Sequence, residues 1–173
     1  MLMEYFTNET IDTAQLPKYE EVKFSVLHTD YWKVILISLA IFFLIIGIGL
    51  GLALYFNEEF VVFITELSIA YVVLLLLVLL FSRISFRKKG FAFRTHDVLY
   101  RYGIIATNTL VIPYNRVQHV ALHEGLVSRF FGLAKIEIFT AGGSSSDIHI
   151  PGIAKEQAEN IKQLLMGKIQ KQL

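Results

Sequence analysis

The sequence predicts a membrane protein of the α + β class. A two-helix transmembrane hairpin comes first, and a small antiparallel β barrel capped by a C-terminal helix follows it. Three observations carry this expectation. Two apolar runs fill most of residues 34–81, the texture then changes to short alternating segments separated by turns, and an amphipathic stripe occupies the last 17 residues before the C-terminal Gln-Leu.

The composition fits that division. Apolar residues make up 54% of the 173-residue chain, above the range of about 45–50% usual in soluble domains. Net charge is near neutral, at +1, but it is unevenly spread. Residues 1–30 carry six acids against two bases, whereas residues 84–173 carry twelve bases against six acids. The expected organisation is an acidic N-terminal segment (1–30), a transmembrane hairpin (31–83) and a polar domain (84–173). Cysteine is absent, which excludes disulfides, thiolate metal sites and cysteine nucleophiles.

The first run, Val34 to Phe56, holds 23 residues without a charge. As a helix it reaches about 34 Å, enough to cross a hydrocarbon core of about 30 Å. The second, Phe60 to Phe81, holds 22 residues with Glu66 as the single ionisable one. Asn57, Glu58 and Glu59 separate them, so the two helices must turn back on each other. Runs of this length with no polar face belong in lipid rather than in a soluble core.

Orientation follows from the basic residues. Lys33 precedes the first span, and Arg83, Arg87, Lys88 and Lys89 follow the second, while the connecting loop has none. Positive residues stay on the cytoplasmic side, so both termini are expected in the cytoplasm of a multi-pass inner-membrane protein. The start "MLMEYFTNET" has neither the basic nor the apolar region of a cleaved signal peptide. The four bases after the second span also form a candidate surface for lipid headgroups, because bases near an anionic leaflet contribute about 1 kcal/mol each.

Two features inside the spans are candidates for function. Gly47 and Gly51 form a GxxxG pair that lets helix backbones approach closely. Dimerisation and packing against the chain's own second span explain it equally well. Glu66 is either an intramembrane ionisable group or, if the span effectively begins near Val62, a residue at the outer headgroups.

Beyond Arg83, strands are expected at 90–94, 98–105, 109–113, 116–124, 135–140 and over "IHIPG", with turns at "THD" and "ATN". The stretch "GLVSRFFGLA" reads as a helical turn burying Leu126, Phe130 and Leu133. A helix over about 155–171 places Ala158, Ile161, Leu164, Leu165 and Ile169 on one stripe. Within "QHVALHE", His119 and His123 have the i, i+4 spacing of a zinc pair on a helix. On a strand they stand about 13 Å apart, too far to share a metal. In that setting Val117, His119, Ala121 and His123 share one face. No metal or other cofactor is expected.

Residues 111–143, "VIPYNRVQHVALHEGLVSRFFGLAKIEIFTAGG", with "IPGI" at 150–153, resemble the YdbS-like bacterial membrane proteins that carry a pleckstrin-homology-like (PH-like) domain. The shared pattern includes Ile112, Pro113, Arg116, Val117, Gln118, Gly125, Arg129, Gly132, Thr140, Gly142, Pro151 and Gly152. The resemblance implies a PH-like barrel that binds rather than catalyses. It also implies assembly with itself or with a second PH-domain membrane protein, in envelope stress or bacteriocin resistance. Arg116, Gln118, Arg129, Gly132 and Gly142 are then the candidate partner surface.

Physical chemistry alone leaves these residues open to structural roles. Gly125, Gly132 and Gly142 suit turns of positive φ or close backbone contact, and Pro113 and Pro151 suit strand ends. Arg116 and Arg129 suit a phosphate, the capping of carbonyls, or pairing with Glu124 and Glu137. The loop "TAGGSSSD" lacks the ending of a phosphate-binding P-loop, and Ser144–Ser146, Asp147 and His149 lie too close in sequence to converge as a triad. No nucleic-acid partner is expected, since the basic cluster is tied to the membrane end. The competing function is a small transport or immunity component that uses Glu66 and the glycine-rich first span within an oligomer.

Overall fold

The computed structural model describes residues 10, 12, 21–142 and 147–170. The element order is β1 (Ser25–Val26), α1 (Tyr31–Phe56), α2 (Glu58–Val61), α3 (Ile64–Lys88), β2 (Gly90–Phe93), β3 (Asp97–Tyr102), β4 (Asn108–Pro113), β5 (Val117–His123), α4 (Leu126–Phe130), β6 (Leu133–Thr140), β7 (Ile148–Ala154) and α5 (Lys155–Gln170). Two antiparallel sheets result, ordered β1-β2-β3-β4 and β5-β6-β7.

The helices α1 and α3 are both long and apolar enough to cross a membrane, and nearly all of their surface lies outside any protein core. The second helix departs from the expected span at both ends. The short α2 and a break at Val62–Phe63 precede it, so it starts at Ile64, and it continues through the basic cluster to Lys88. Midway along the pair, Phe43 is buried edge-on against Tyr71, whose hydroxyl donates to the Phe43 carbonyl at 2.8 Å, and at the barrel end Tyr31 and Trp32 pack on Phe86.

The two sheets enclose a core of aliphatic side chains. Val98, Ile136, Ile138, Ile148 and Ile150 are wholly buried in it, each worth about 1.5–3 kcal/mol in removal from water. In β6 the alternation is strict, with Ile136 and Ile138 inward and Lys135, Glu137 and Phe139 partly exposed. Along α5, Ala158 and Leu165 are buried and Ile161 and Ile169 partly so. Leu164, expected on that stripe, is instead exposed, because it sits one position off the 158–161–165 line.

The first strand comes from the segment expected to stand apart as a tail. Ser25 and Val26 pair with Phe91 and Gly90, and Leu27 is buried behind them. Residues 31–88 therefore form an insertion between two neighbouring strands of one sheet.

Several local expectations are corrected. The strand β5 does not alternate throughout: a register shift between Val117 and His119 leaves Gln118 and His119 both exposed while Val117 and Val120 are buried. Val117 thus parts company with His119, since a bulge inserts one residue and reverses the side-chain phase. Pro151 does not end β7 but lies inside it, where the pairing shifts between Ile136↔Ile150 and Ala134↔Ile153. Gly125 is an ordinary extended residue (φ −68°, ψ 155°), and a Cβ there would make only an ordinary contact with Ser128 Oγ at 3.7 Å. Finally, Leu133 is buried as expected, but Leu126 and Phe130 are 79% and 84% exposed.

Candidate functional site

Of the four bases after the second span, one ties the two helices together at the barrel end and two meet the barrel itself. The guanidinium of Arg83 lies over the Trp32 ring at 4.7 Å and near Phe86 at 5.8 Å, a geometry in which the ring faces attract the cation. The Lys88 ammonium donates to the Ile104 carbonyl at the β3–β4 tip. Lys89 enters a cleft of ≈ 360 Å³ with Tyr31, Ile35, Phe81, Ser85 and Ile104 around it. Loss of hydration there lowers its pKa from the ordinary lysine value. Arg87 alone stands exposed. The cluster is therefore a joint between helix and barrel more than a single headgroup patch.

Across the same joint, Gly152 meets the start of α1. It has φ +66°, and a Cβ there would stand 2.3 Å from the Tyr31 ring. The neighbouring amide of His28 donates to the Gly152 carbonyl at 2.8 Å. Only glycine supplies both the left-handed backbone and the space. This role escaped sequence reasoning, although the "IPG" motif marked the position.

A second cleft, of ≈ 310 Å³, opens where the two sheets meet. Val111, Ile112 and Pro113 from β4, Arg116 from the following turn, and Thr140 and Gly142 from the end of β6 line it. Backbone and side-chain bonds hold its rim: the Ala141 amide donates to the Arg116 carbonyl at 3.0 Å, and the Thr140 amide donates to Asp147 Oδ1 at 2.9 Å. Arg116 is exposed and enters no ion pair among the described residues. Residues 143–146 of the loop beyond, including Ser144–Ser146, lie outside the described residues.

Only Arg116 and Gly142 of the five candidate partner residues come together here. Gln118 is on the bulge of β5, facing solvent. Arg129 and Gly132 belong to the opposite end of the β5–β6 hairpin, separated from Arg116 by the seven residues of β5. That is about 23 Å, so the two arginines cannot share one phosphate. Nor do they pair with the expected acids. Glu124 is taken by Lys155 at 2.8 Å, and Glu137 by Lys135 at 2.5 Å with His149 at 3.7 Å. The Lys135 bond, ahead of other charges, lowers the Glu137 pKa. Gly132 does have positive φ, at +62°.

The histidines of "QHVALHE" are spent on the sheet surface. His119 stacks on Phe139 with ring centroids 4.2 Å apart, and His123 pairs across from Lys135. Within the hairpin, a Cβ on Gly47 would touch the Tyr71 hydroxyl at 3.3 Å, while Gly51 faces open space. Gly47 thus serves the chain's own helix pair. Glu66 lies exposed in the first turn of α3, where the helix dipole favours a carboxylate.

This combination, a four-stranded and a three-stranded antiparallel sheet closed by a C-terminal helix and bound to two spans, agrees with comparison to known proteins. The family described as Bacterial PH domain matches residues 11–169. The chain belongs to that family. The match covers the hairpin as well as the sheets, so in this family member the spans and the barrel form one unit of sequence. A relative, "UPF0699 transmembrane protein YdbT" of Bacillus subtilis (strain 168), is 33% identical over 104 residues. That alignment takes in 58% of this chain and 21% of the relative, so the chain spans about a fifth of the relative's length. No solved structure matches. The expectation from residues 111–143 therefore holds at the level of the family.

Proposed function

We propose that this chain is a non-enzymatic, membrane-anchored PH-like binding module of the cytoplasmic membrane. Both termini are cytoplasmic, and the barrel assembles with a second copy or with another PH-domain membrane protein. The observation that carries this reading is the cleft at the sheet seam, which gathers Ile112, Pro113, Arg116, Thr140 and Gly142 from distant parts of the sequence. An apolar wall with one guanidinium at its rim that enters no ion pair among the described residues suits a protein carboxylate better than a substrate. The topology rests on Arg83, Arg87, Lys88 and Lys89 at the barrel end of the hairpin and on the absence of bases between the spans.

Chemical cross-linking of the full chain in native membranes tests the assembly. A species heavier than the monomer is expected, lost in Arg116→Glu and kept in Lys162→Glu, which alters an exposed base on α5. Monomer alone in the unaltered protein would sink the reading. The role in envelope stress or bacteriocin resistance belongs to the same proposal, and the Arg116→Glu strain should lose it. Glu66→Gln should retain both assembly and phenotype. Assembly without phenotype in that variant would instead support the transport or immunity role.

A further inference from the structure

Among the described residues outside the membrane hairpin, the three most exposed large apolar side chains are Ile105 at 92%, Phe130 at 84% and Leu126 at 79%, ahead of Val26 at 74% on the first strand. Exposed aliphatic side chains scattered singly need no explanation. These three are not scattered.

Ile105 is on the tip between β3 and β4. Its neighbour Ile104 receives the Lys88 hydrogen bond and lines the cleft shared with Ile35, Val78 and Phe81, which are part of the apolar runs of α1 and α3. That tip accordingly reaches the depth at which the spans are apolar. Leu126 and Phe130 are on α4, which contacts α1 directly. The end of α1 concerned is its start. Gly132, just past α4, accepts a hydrogen bond from the Lys155 amide at 2.9 Å, and Gly152, close by on the same strand end, packs on Tyr31. Both tips therefore lie against the hairpin where it leaves the barrel, α4 beside the start of α1 and the β3–β4 tip at the cleft between the two helices.

We infer that these two tips are membrane prongs: Ile105 on one, and Leu126 and Phe130 on the other, insert into the leaflet on the barrel side. The occupant of this surface is lipid, because both tips are continuous with helices that already lie in it. Apolar residues at the end of a short amphipathic element, with a basic residue beside them, are the composition of an interfacial anchor. Arg129, exposed between Leu126 and Phe130, supplies the base toward anionic headgroups. Arg87, exposed at the end of α3, supplies another. The prongs hold the barrel against the bilayer in one orientation, so the seam cleft is presented to neighbours at a fixed height and angle. This anchoring does not depend on what the seam cleft binds.

The chain has no cysteine, so single thiols can be placed without altering any other residue. The full chain carrying Ile105→Cys, Leu126→Cys or Phe130→Cys, each labelled with a fluorophore, is reconstituted into bilayers containing nitroxide-labelled phospholipid. Thr95→Cys, exposed on the β2–β3 turn at the far end of β2 from Lys89, is the reference. At 105, 126 and 130 the expected result is quenching by the nitroxide lipid and loss of access to aqueous iodide, with the reverse at 95. Iodide access at the three positions equal to that at 95 would overturn the inference. So would loss of iodide access without lipid quenching, which would assign the tips to contact with a second protein.

Discussion

At the scale of single residues, two glycines with the same backbone have different duties. Gly132 and Gly152 both have φ near +64°, at +62° and +66°, yet a Cβ meets nothing at Gly132 and the Tyr31 ring at Gly152. Gly132→Ala should cost only the left-handed backbone, about 1–2 kcal/mol. Gly152→Ala adds displacement of Tyr31 and should lower the unfolding temperature of the full chain in detergent further. Equal shifts would show that Tyr31 yields freely. Tyr71→Phe removes the hydroxyl that meets the Phe43 carbonyl between the spans. Such interhelical bonds contribute about 0.6 kcal/mol, so a small loss of thermal stability is expected, with the hairpin intact. Glu137 gives a pH test. Its folded pKa lies below the usual 4.5 through Lys135, so its stabilisation is full above the usual value and is lost as pH falls through the depressed one. The stability difference between the unaltered protein and Glu137→Gln should therefore be present at neutral pH and vanish in acid, and it should stay below about 1 kcal/mol because the pair is near the surface.

At the scale of elements, β1 has only two residues and depends on its neighbour for a hold. Leu27, buried at its end, supplies that hold. Leu27→Ala should cost about 2–5 kcal/mol, and amide exchange should rise at Gly90 and Phe91, the partners of β1, before it rises in β6. Uniform acceleration across both sheets would show that β1 is not a separable edge. The strand β5 illustrates a limit of periodicity. Its bulge between Val117 and His119 is a backbone event, and the alternation of "RVQHVALH" carries no mark of it. Helix α4 illustrates another. Leu126 and Phe130 are apolar, and the sequence offers no way to tell a side chain aimed at a core from one aimed at lipid; both environments remove it from water.

At the scale of the whole molecule, the hairpin is inserted into the barrel rather than attached in front of it. The chain enters the sheet at Ser25–Val26, leaves through α1, returns through α3 and pairs beside its own starting strand at Gly90–Phe91. The two helix ends are thus fixed to one sheet; Arg83 on Trp32 ties the helices to each other there, and Lys88 on Ile104 and Tyr31 on Gly152 tie them to the barrel. A barrel so tied can transmit the position of the membrane to the seam cleft. Arg83→Ala should loosen this joint, and its reading is a rise in iodide access at a label on residue 105, with the sheets still folded. An unchanged accessibility would place the stiffness in the strand pairing alone.

The sequence by itself determined the two spans, the strands from Gly90 onward, the amphipathic α5 and the family, because these depend on patterns within a few neighbouring residues. Run length fixes a span, period two fixes a strand, and the 111–143 motif fixes the family. It also placed Arg116 and Gly142 among the candidate residues. Only the tertiary structure decided that they share a cleft while Gln118 and Arg129 stand elsewhere, that residues 25–26 complete the sheet, and that two of the four juxtamembrane bases meet the barrel while Arg83 ties the helices together. Those facts depend on which distant segments meet, and such meetings are set by burial and register across the whole chain rather than by any local pattern.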